Sequence, residues 1–170
     1  GASELFEVVV GWCGCGAKTF PSGGCRFDLG VGLGREEHGF DPNSGLFDAM
    51  RQDPVLSTVK LISEPWDIGP GGYQLGNHPP GFGEWNGKFR DDIRRFWKGD
   101  PAMRGALAGC LQAFGDLFDH QRRTPWASVH FLTAHDGFPP ADLVSYNAKP
   151  NAANGQGNSV RSEARRVGQD

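Results

Sequence analysis

Three acidic side chains stand where short apolar segments of the sequence end. Asp28 lies at the end of one such segment, while Glu64 and Asp136 follow two others. Because the carboxyl ends of parallel strands meet at one edge of a sheet, carboxylates distant in sequence can converge there on a ligand. Burying a carboxylate costs free energy unless it is paired, so three of them indicate a chemical role. A single aspartate in such a place is more often a helix cap or a turn residue.

Two of these carboxylates have contrasting sequence environments. Arg26 precedes Asp28 by two positions, so both side chains project from one face of a strand, and the guanidinium favours the ionised carboxylate. Glu64 follows an apolar run and precedes Pro65 and Trp66, surroundings that favour a protonated carboxyl group. An ionised and a protonated carboxyl group together are the arrangement for glycoside hydrolysis. An ion pair beside an unrelated capping glutamate fits the same spacing.

The elements that must position these groups alternate between short strands and helices. Loops rich in glycine, proline and aspartate connect them, so the pattern predicts an α/β fold with parallel strands. The predicted strands are residues 24–29, 58–62 and 128–133. Helices are expected over residues 45–51 (ended by Pro54), 86–97 and 101–120, and a long binding loop over residues 68–85.

The helical stretches carry apolar stripes that we interpret as core faces rather than cofactor contacts. In residues 86–97 the stripe comprises Phe89, Ile93, Phe96 and Trp97. In residues 101–120 it comprises Met103, Leu107, Leu111, Phe114 and Phe118.

Length and charge limit the function classes. The chain has 170 residues, a mass of 18.4 kDa and a net charge of -3, which fit one domain with no general attraction to nucleic acid or anionic membranes. No apolar run approaches the roughly 18 residues of a membrane span, and no secretion signal is evident. The 4 cysteines are too few for a disulfide scaffold, which favours reduced thiols in the cytoplasm.

Several ordered motifs together resemble glycoside hydrolase family 13, the α-amylase superfamily, and within it the isoamylase-type bacterial glycogen debranching enzymes. The resemblance covers about residues 24–158. It rests on Arg26-Phe27-Asp28-Leu29, Leu33-Gly34-Arg35-Glu36, Leu61-Ile62-Ser63-Glu64-Pro65-Trp66-Asp67, the loop from Asp67 to Gln74, Phe89-Arg90-Asp91, Arg95 to Pro101, and Phe131-Leu132-Thr133-Ala134-His135-Asp136-Gly137.

This resemblance implies part of a (β/α)₈ TIM barrel, about strands four to seven with their helices. Asp28 would be the nucleophile, Glu64 the general acid and then base, and Asp136 the third carboxylate that stabilises the transition state. The implied supporting and substrate-binding residues are Arg26, His135 and Trp66. No metal or cofactor is implied. The implied reaction is retaining hydrolysis of α-1,6 branch linkages in glycogen or limit dextrin, as part of glycogen catabolism.

The resemblance also defines the expected organisation of the chain. Residues 1–158 would form a partial catalytic barrel, in which residues 1–23 match poorly, and residues 159–170 would form a disordered tail. The family's upstream motif ending in Asn-His is missing, so we expect a fragment of a larger enzyme that is inactive alone. Trp66, Tyr73 and Trp85 are candidates for stacking on sugar rings and equally for the core.

Other readings of the residues stay open or fail on spacing. A non-catalytic glucan-binding remnant, a branching enzyme and an α-glucosidase remain alternatives. The glycine-rich stretch 30–35 lacks the spacing of a nucleotide-binding loop. Cys13, Cys15 and Cys25 lack a fourth partner for zinc. A metal-dependent phosphohydrolase site at His135 and Asp136 would need further ligands that the remaining histidines do not supply.

Overall fold

The computed structural model describes most of the chain between residues 23 and 145. The described residues are 7–9, 11, 13–14, 16, 23–120, 123–135, 137 and 139–145. Asp136 and the expected tail 159–170 lie outside them. No helix among the described residues is long and apolar enough to cross a membrane.

The main sheet has four strands that are all parallel, in the order β1-β4-β5-β6. The strands are β1 (Gly24–Phe27), β2 (Arg35–Glu36), β3 (Gly39–Phe40), β4 (Lys60–Ser63), β5 (Phe82–Trp85) and β6 (Ser128–Val129). From residue 23 onward, the α-helices of the described residues are α1 (Gly45–Gln52), α2 (Gly87–Lys98), α3 (Arg104–Leu111), α4 (Gly115–Phe118) and α5 (Pro140–Leu143). Three 3₁₀ turns span Gly30–Gly34, Leu56–Thr58 and Pro125–Ala127, and β2 pairs with β3 in a separate antiparallel ribbon.

The register of the parallel strands assigns their side chains to two faces. Arg26 pairs with Ile62, which pairs with Gly83, and Phe27 pairs with Ser63, which pairs with Glu84. Because side chains alternate along each strand, neighbours in register share a face. Arg26, Ile62 and Gly83 therefore share one face of the sheet. The residue two positions after each of them lies on that face as well, and these residues are Asp28, Glu64 and Trp85.

The opposite face of the sheet builds the main core. Leu61 and Phe82 from this face are buried with three residues of the α1 region, Phe47, Met50 and Leu56. The Phe47 and Phe82 rings pack edge to face with their centroids 5.2 Å apart. A second cluster lies between α2, α3 and α4 and comprises Leu75, Cys110, Phe114 and Phe118. The α1 region therefore packs against one face of the sheet, and the opposite face is available for a functional site.

Several expected elements are confirmed with small shifts, and one strand was missed. Helix α1 covers the predicted 45–51, the strand predicted at 58–62 forms at Lys60–Ser63, and the last strand is only Ser128–Val129. The prediction that residues 68–85 contain no regular element is wrong, because β5 occupies its last four positions. Strand β5 is paired on both sides, so tertiary pairing overrides the glycines and prolines that surround it.

The predicted helix 101–120 is broken into α3 and α4. Ala113 and Phe114 adopt left-handed backbone conformations with φ of 52° and 54°, which turns the chain and buries the Phe114 ring. Leu111 and Trp97 were predicted in the core and are instead 80% and 79% exposed. Fewer residues of α2 and α3 therefore pack in the core than the apolar stripes of their sequences predicted.

Candidate active site

Asp28 and Glu64 lie side by side at the carboxyl ends of β1 and β4. One carboxylate oxygen of each and one ring nitrogen of His135 all lie within 4.8 Å of one another. The side chain of Asp28 is 61% exposed whereas that of Glu64 is 4% exposed. The structure thus brings together one open and one shielded carboxyl group beside an imidazole. Such a spacing would admit a metal ion, but exposed acidic groups commonly lie this close without one.

Both oxygens of Glu64 accept hydrogen bonds, one from Arg26 in β1 and one from Leu29, the second residue after that strand. Arg26 Nη1 donates to Oε1 at 2.6 Å, and the backbone N–H of Leu29 donates to Oε2 at 3.1 Å. Leu29 is left-handed, with φ of 47°, an uncommon backbone conformation for a residue with a side chain. Strand β1 therefore ends in a turn that aims a peptide N–H at the neighbouring carboxyl group.

The environment of Glu64 raises its pKa above the usual value. Burial has the largest effect, and the nearby Asp28 carboxylate acts in the same direction, while the Leu29 N–H and Arg26 oppose it. This is the direction that the sequence predicts for Glu64. A carboxyl group with a raised pKa keeps its proton closer to neutral pH, as a general acid must.

Arg26 lies closer to Glu64 than to the carboxylate with which the sequence paired it. Its Nη1 is 3.6 Å from Asp28 Oδ1 and 2.6 Å from Glu64 Oε1. The parallel register explains this difference in distance. Arg26 lies beside Ile62, and its long side chain extends toward Glu64, two residues after Ile62. The guanidinium therefore contacts both carboxylates rather than only the nearer one in sequence.

Aromatic side chains border the carboxylates on the β5 and β6 side. The Arg26 guanidinium carbon lies 4.7 Å from the centre of a Trp85 ring. The Trp85 ring lies 5.2 Å from that of Phe131 and 6.4 Å from that of His135. Trp66, which the resemblance places at the substrate, is only 8% exposed, and its backbone bridges to Tyr73, which is 42% exposed.

An ion pair fixes the loop that follows Glu64. Arg35 Nε and Nη2 donate to the two oxygens of Asp67 at 2.5 and 2.7 Å, and Nη2 also donates to the Pro70 carbonyl at 2.9 Å. Asp67 is 7% exposed, and its Oδ1 accepts from the Gly69 N–H at 2.7 Å. A two-pronged contact of this kind sets geometry as well as energy. The β2 strand therefore fixes the start of the loop beside the site.

A buried polar network on the helix side of the sheet was missed at the sequence level. Glu84 is fully buried and accepts from the N–H groups of Gly76 and His78 at 2.7 and 3.2 Å and from Arg123 Nη1. Arg123 Nη2 also donates to the Phe82 carbonyl at 3.0 Å. The alternation of β5 could have indicated it, because Glu84 shares a face with the apolar Phe82 and a buried glutamate requires a partner.

His78 joins this network to the strand that carries Glu64. Its Nε2 lies 2.9 Å from Ser63 Oγ, and its ring is surrounded by those of Phe40, Phe47 and Phe82 at 5.2 to 6.3 Å. Burial, followed by repulsion from Arg123, lowers the pKa of His78 to about 4 from an ordinary 6.5. The imidazole is therefore neutral in the folded protein at neutral pH.

The buried neutral imidazole predicts acid lability. Because the folded pKa is the lower one, the stabilisation is complete above pH 6.5 and is lost as the pH falls toward 4. The expected loss attributable to His78 is about 3 kcal/mol. Urea unfolding at intervals between pH 7 and pH 4, for the wild type and for His78→Phe, measures it. The variant should lose less stability than the wild type over this range, and parallel pH profiles would contradict the prediction.

Comparisons with known proteins agree with this architecture. The chain is 55% identical over 135 residues to a glycogen operon protein GlgX homologue of Mycobacterium tuberculosis, which covers 79% of this chain and 19% of the relative. It is 53% identical over 135 residues to a glycogen debranching enzyme of Cronobacter sakazakii, covering 79% and 20% respectively. The chain thus spans about a fifth of the length of the curated relatives it matches. No family model matches it.

Solved structures agree on the fold. A pullulanase from Anoxybacillus sp. LM18-11, solved with maltotriose, superposes with a TM-score of 0.64 at 22% identity, over 84% of this chain and 21% of that one. Four parallel strands, with helices between β1 and β4 and between β5 and β6, therefore define an α/β segment of a (β/α)₈ barrel, which confirms the predicted fold class. Its similarity to proteins named glycogen debranching enzymes supports the resemblance to the isoamylase-type group of glycoside hydrolase family 13.

Proposed function

We propose that this chain supplies the nucleophile and the acid/base catalyst of a retaining glycoside hydrolase that cleaves α-1,6 branch linkages of glycogen or limit dextrin. The observation that carries the proposal is the pair of carboxyl groups at the strand ends, with Asp28 open and Glu64 shielded. One oxygen of each group lies within 4.8 Å of one oxygen of the other, which is nearer to the roughly 5 Å separation of retaining enzymes than to the roughly 6.5 Å or more of inverting ones. The pair therefore fits retention of configuration.

The first step forms a covalent intermediate. An Asp28 carboxylate oxygen attacks the anomeric carbon, the bond from that carbon to the branch oxygen breaks, and Glu64 gives its proton to the departing oxygen. Arg26 contacts both carboxyl groups, so it offsets the negative charge that moves from Asp28 to Glu64.

The second step releases the sugar. Glu64, now ionised, takes a proton from water, whose oxygen attacks the anomeric carbon and breaks its bond to Asp28. The product regains the original configuration, and both carboxyl groups return to their starting states. His135, whose imidazole lies at the same rim, and Asp136, as the third carboxylate, would bind sugar hydroxyls. The buried Trp66 would support the rim from beneath rather than stack on a sugar.

The expected substrate is a neutral, branched polysaccharide in the cytoplasm. The net charge of -3 gives no general attraction to anionic polymers and suits an uncharged substrate. Relatives named for glycogen support this substrate class.

The test is product analysis of the full-length protein that carries this chain. Glycogen limit dextrin should release short linear chains, with proton NMR showing the α-anomer before mutarotation, and linear maltoheptaose should remain largely intact. Transfer products instead of free linear chains would indicate a branching enzyme, and glucose from linear chains an α-glucosidase. Glucan binding without any hydrolysis would indicate a non-catalytic remnant.

A further inference from the structure

Trp85 contacts the catalytic arginine rather than a catalytic carboxylate. It ends β5 on the same face as Asp28 and Glu64, one strand beyond β4. The guanidinium carbon of Arg26 lies 4.7 Å from the centre of a Trp85 ring, within the range of a cation–π contact.

Arg26 makes two contacts through its guanidinium. Nη1 donates to Glu64 Oε1 at 2.6 Å, while the guanidinium carbon lies over the ring of Trp85. Phe131 packs against Trp85 at 5.2 Å and limits how far the indole can move. A long arginine side chain that is one-third exposed would otherwise sample several rotamers, including ones nearer to Asp28 at 3.6 Å.

We propose that Trp85 is a positioning residue, which holds the Arg26 guanidinium over its ring so that Nη1 stays on Glu64 Oε1. The inference rests on the proposed function and deepens it, because it assigns the indole to Arg26 instead of to a sugar ring. The role of Trp85 in the reaction is then indirect and is transmitted entirely through Arg26.

An indirect role makes a specific prediction for paired substitutions. Trp85→Leu should lower kcat about 3- to 30-fold, the value of a partly desolvated cation–π contact, with little change in KM. Trp85→Phe keeps a ring and should recover most of this loss. In an Arg26→Met background, Trp85→Leu should cost nothing more, because the group it holds is gone.

The pH dependence supplies a readout that a merely structural role would not move. Arg26 stabilises the ionised form of Glu64, so losing its position raises the pKa of Glu64 further. Trp85→Leu and Arg26→Met should therefore both move the basic limb of kcat toward higher pH, and the double variant should move it no further. Trp97→Leu, a tryptophan 79% exposed on α2, is the matched control and should change neither kcat nor the profile.

Carbon-13 NMR titration of the Glu64 carboxyl group measures the same shift without turnover. If the wild-type protein cleaves no α-1,6 linkage, the proposed function fails, yet the titration still tests the contact between Trp85 and Arg26. The inference would be overturned if the losses in kcat of Trp85→Leu and Arg26→Met added up in the double variant. It would also be overturned if Trp85→Leu raised KM and left the Glu64 titration unchanged, because Trp85 would then contact a sugar ring.

Discussion

Replacing Asp28 by asparagine should abolish hydrolysis while the protein still folds and binds glucan. The amide keeps the size of the carboxylate but cannot form the ester, so kcat should fall by about 10⁴- to 10⁶-fold, as for loss of other nucleophiles. The side chain is 61% exposed and its nearest cation is 3.6 Å away, so little stability depends on it. Initial rates on limit dextrin and thermal unfolding measure both quantities.

The control for Asp28→Asn is the same change at a site outside the rim. Asp48 lies on α1, is 47% exposed and meets Arg51 at 3.5 Å, so Asp48→Asn removes another exposed carboxylate that lies near an arginine. It should leave kcat unchanged.

In Asp28→Ala, the vacated space should admit azide, and a β-glucosyl azide would identify the face from which Asp28 attacks. Substantial hydrolysis by Asp28→Asn would contradict the assignment.

The pair of carboxyl groups could be anticipated because it depends on local rules. Strand alternation places Arg26 and Asp28 on one face, and an apolar run before Glu64 predicts burial there. The partner of Arg26 could not be anticipated in the same way. Whether its guanidinium meets Asp28 or Glu64 depends on the register between β1 and β4, which the sequence of either strand alone does not encode.

The fold shows the same division between local and long-range information. Helix α1 follows its apolar spacing and ends near Pro54, as predicted. Strand β5 was missed because four residues between loops show no decisive pattern until β4 and β6 pair with them. Its pairing has a consequence for the site, because β5 carries both Trp85 toward Arg26 and Glu84 into the buried network with Arg123.

Replacing Glu64 by glutamine should separate the two catalytic roles. Glutamine cannot give a proton to the departing oxygen, so the rate on natural glucan should fall by about 10²- to 10⁴-fold. A substrate with a good aryl leaving group needs no such proton and should still form the ester with Asp28. Its breakdown, however, lacks a base, so the covalent intermediate should accumulate and be visible by intact-protein mass spectrometry.

The pH dependence of kcat/KM tests whether Glu64 acts as the general acid. In the wild type the acid must be protonated, so kcat/KM declines as the pH rises through the raised pKa of Glu64. Glu64→Gln should remove this decline from the residual activity on limit dextrin, whose leaving group needs the proton, whereas Glu36→Gln, at an exposed glutamate on β2, should retain it. Buffer anions such as azide should rescue the variant by attacking the intermediate and giving the α-glucosyl azide. An unchanged decline in Glu64→Gln would mean that another group is the acid, and Asp28 and Glu64 would then form an ion cluster around Arg26 rather than a catalytic pair.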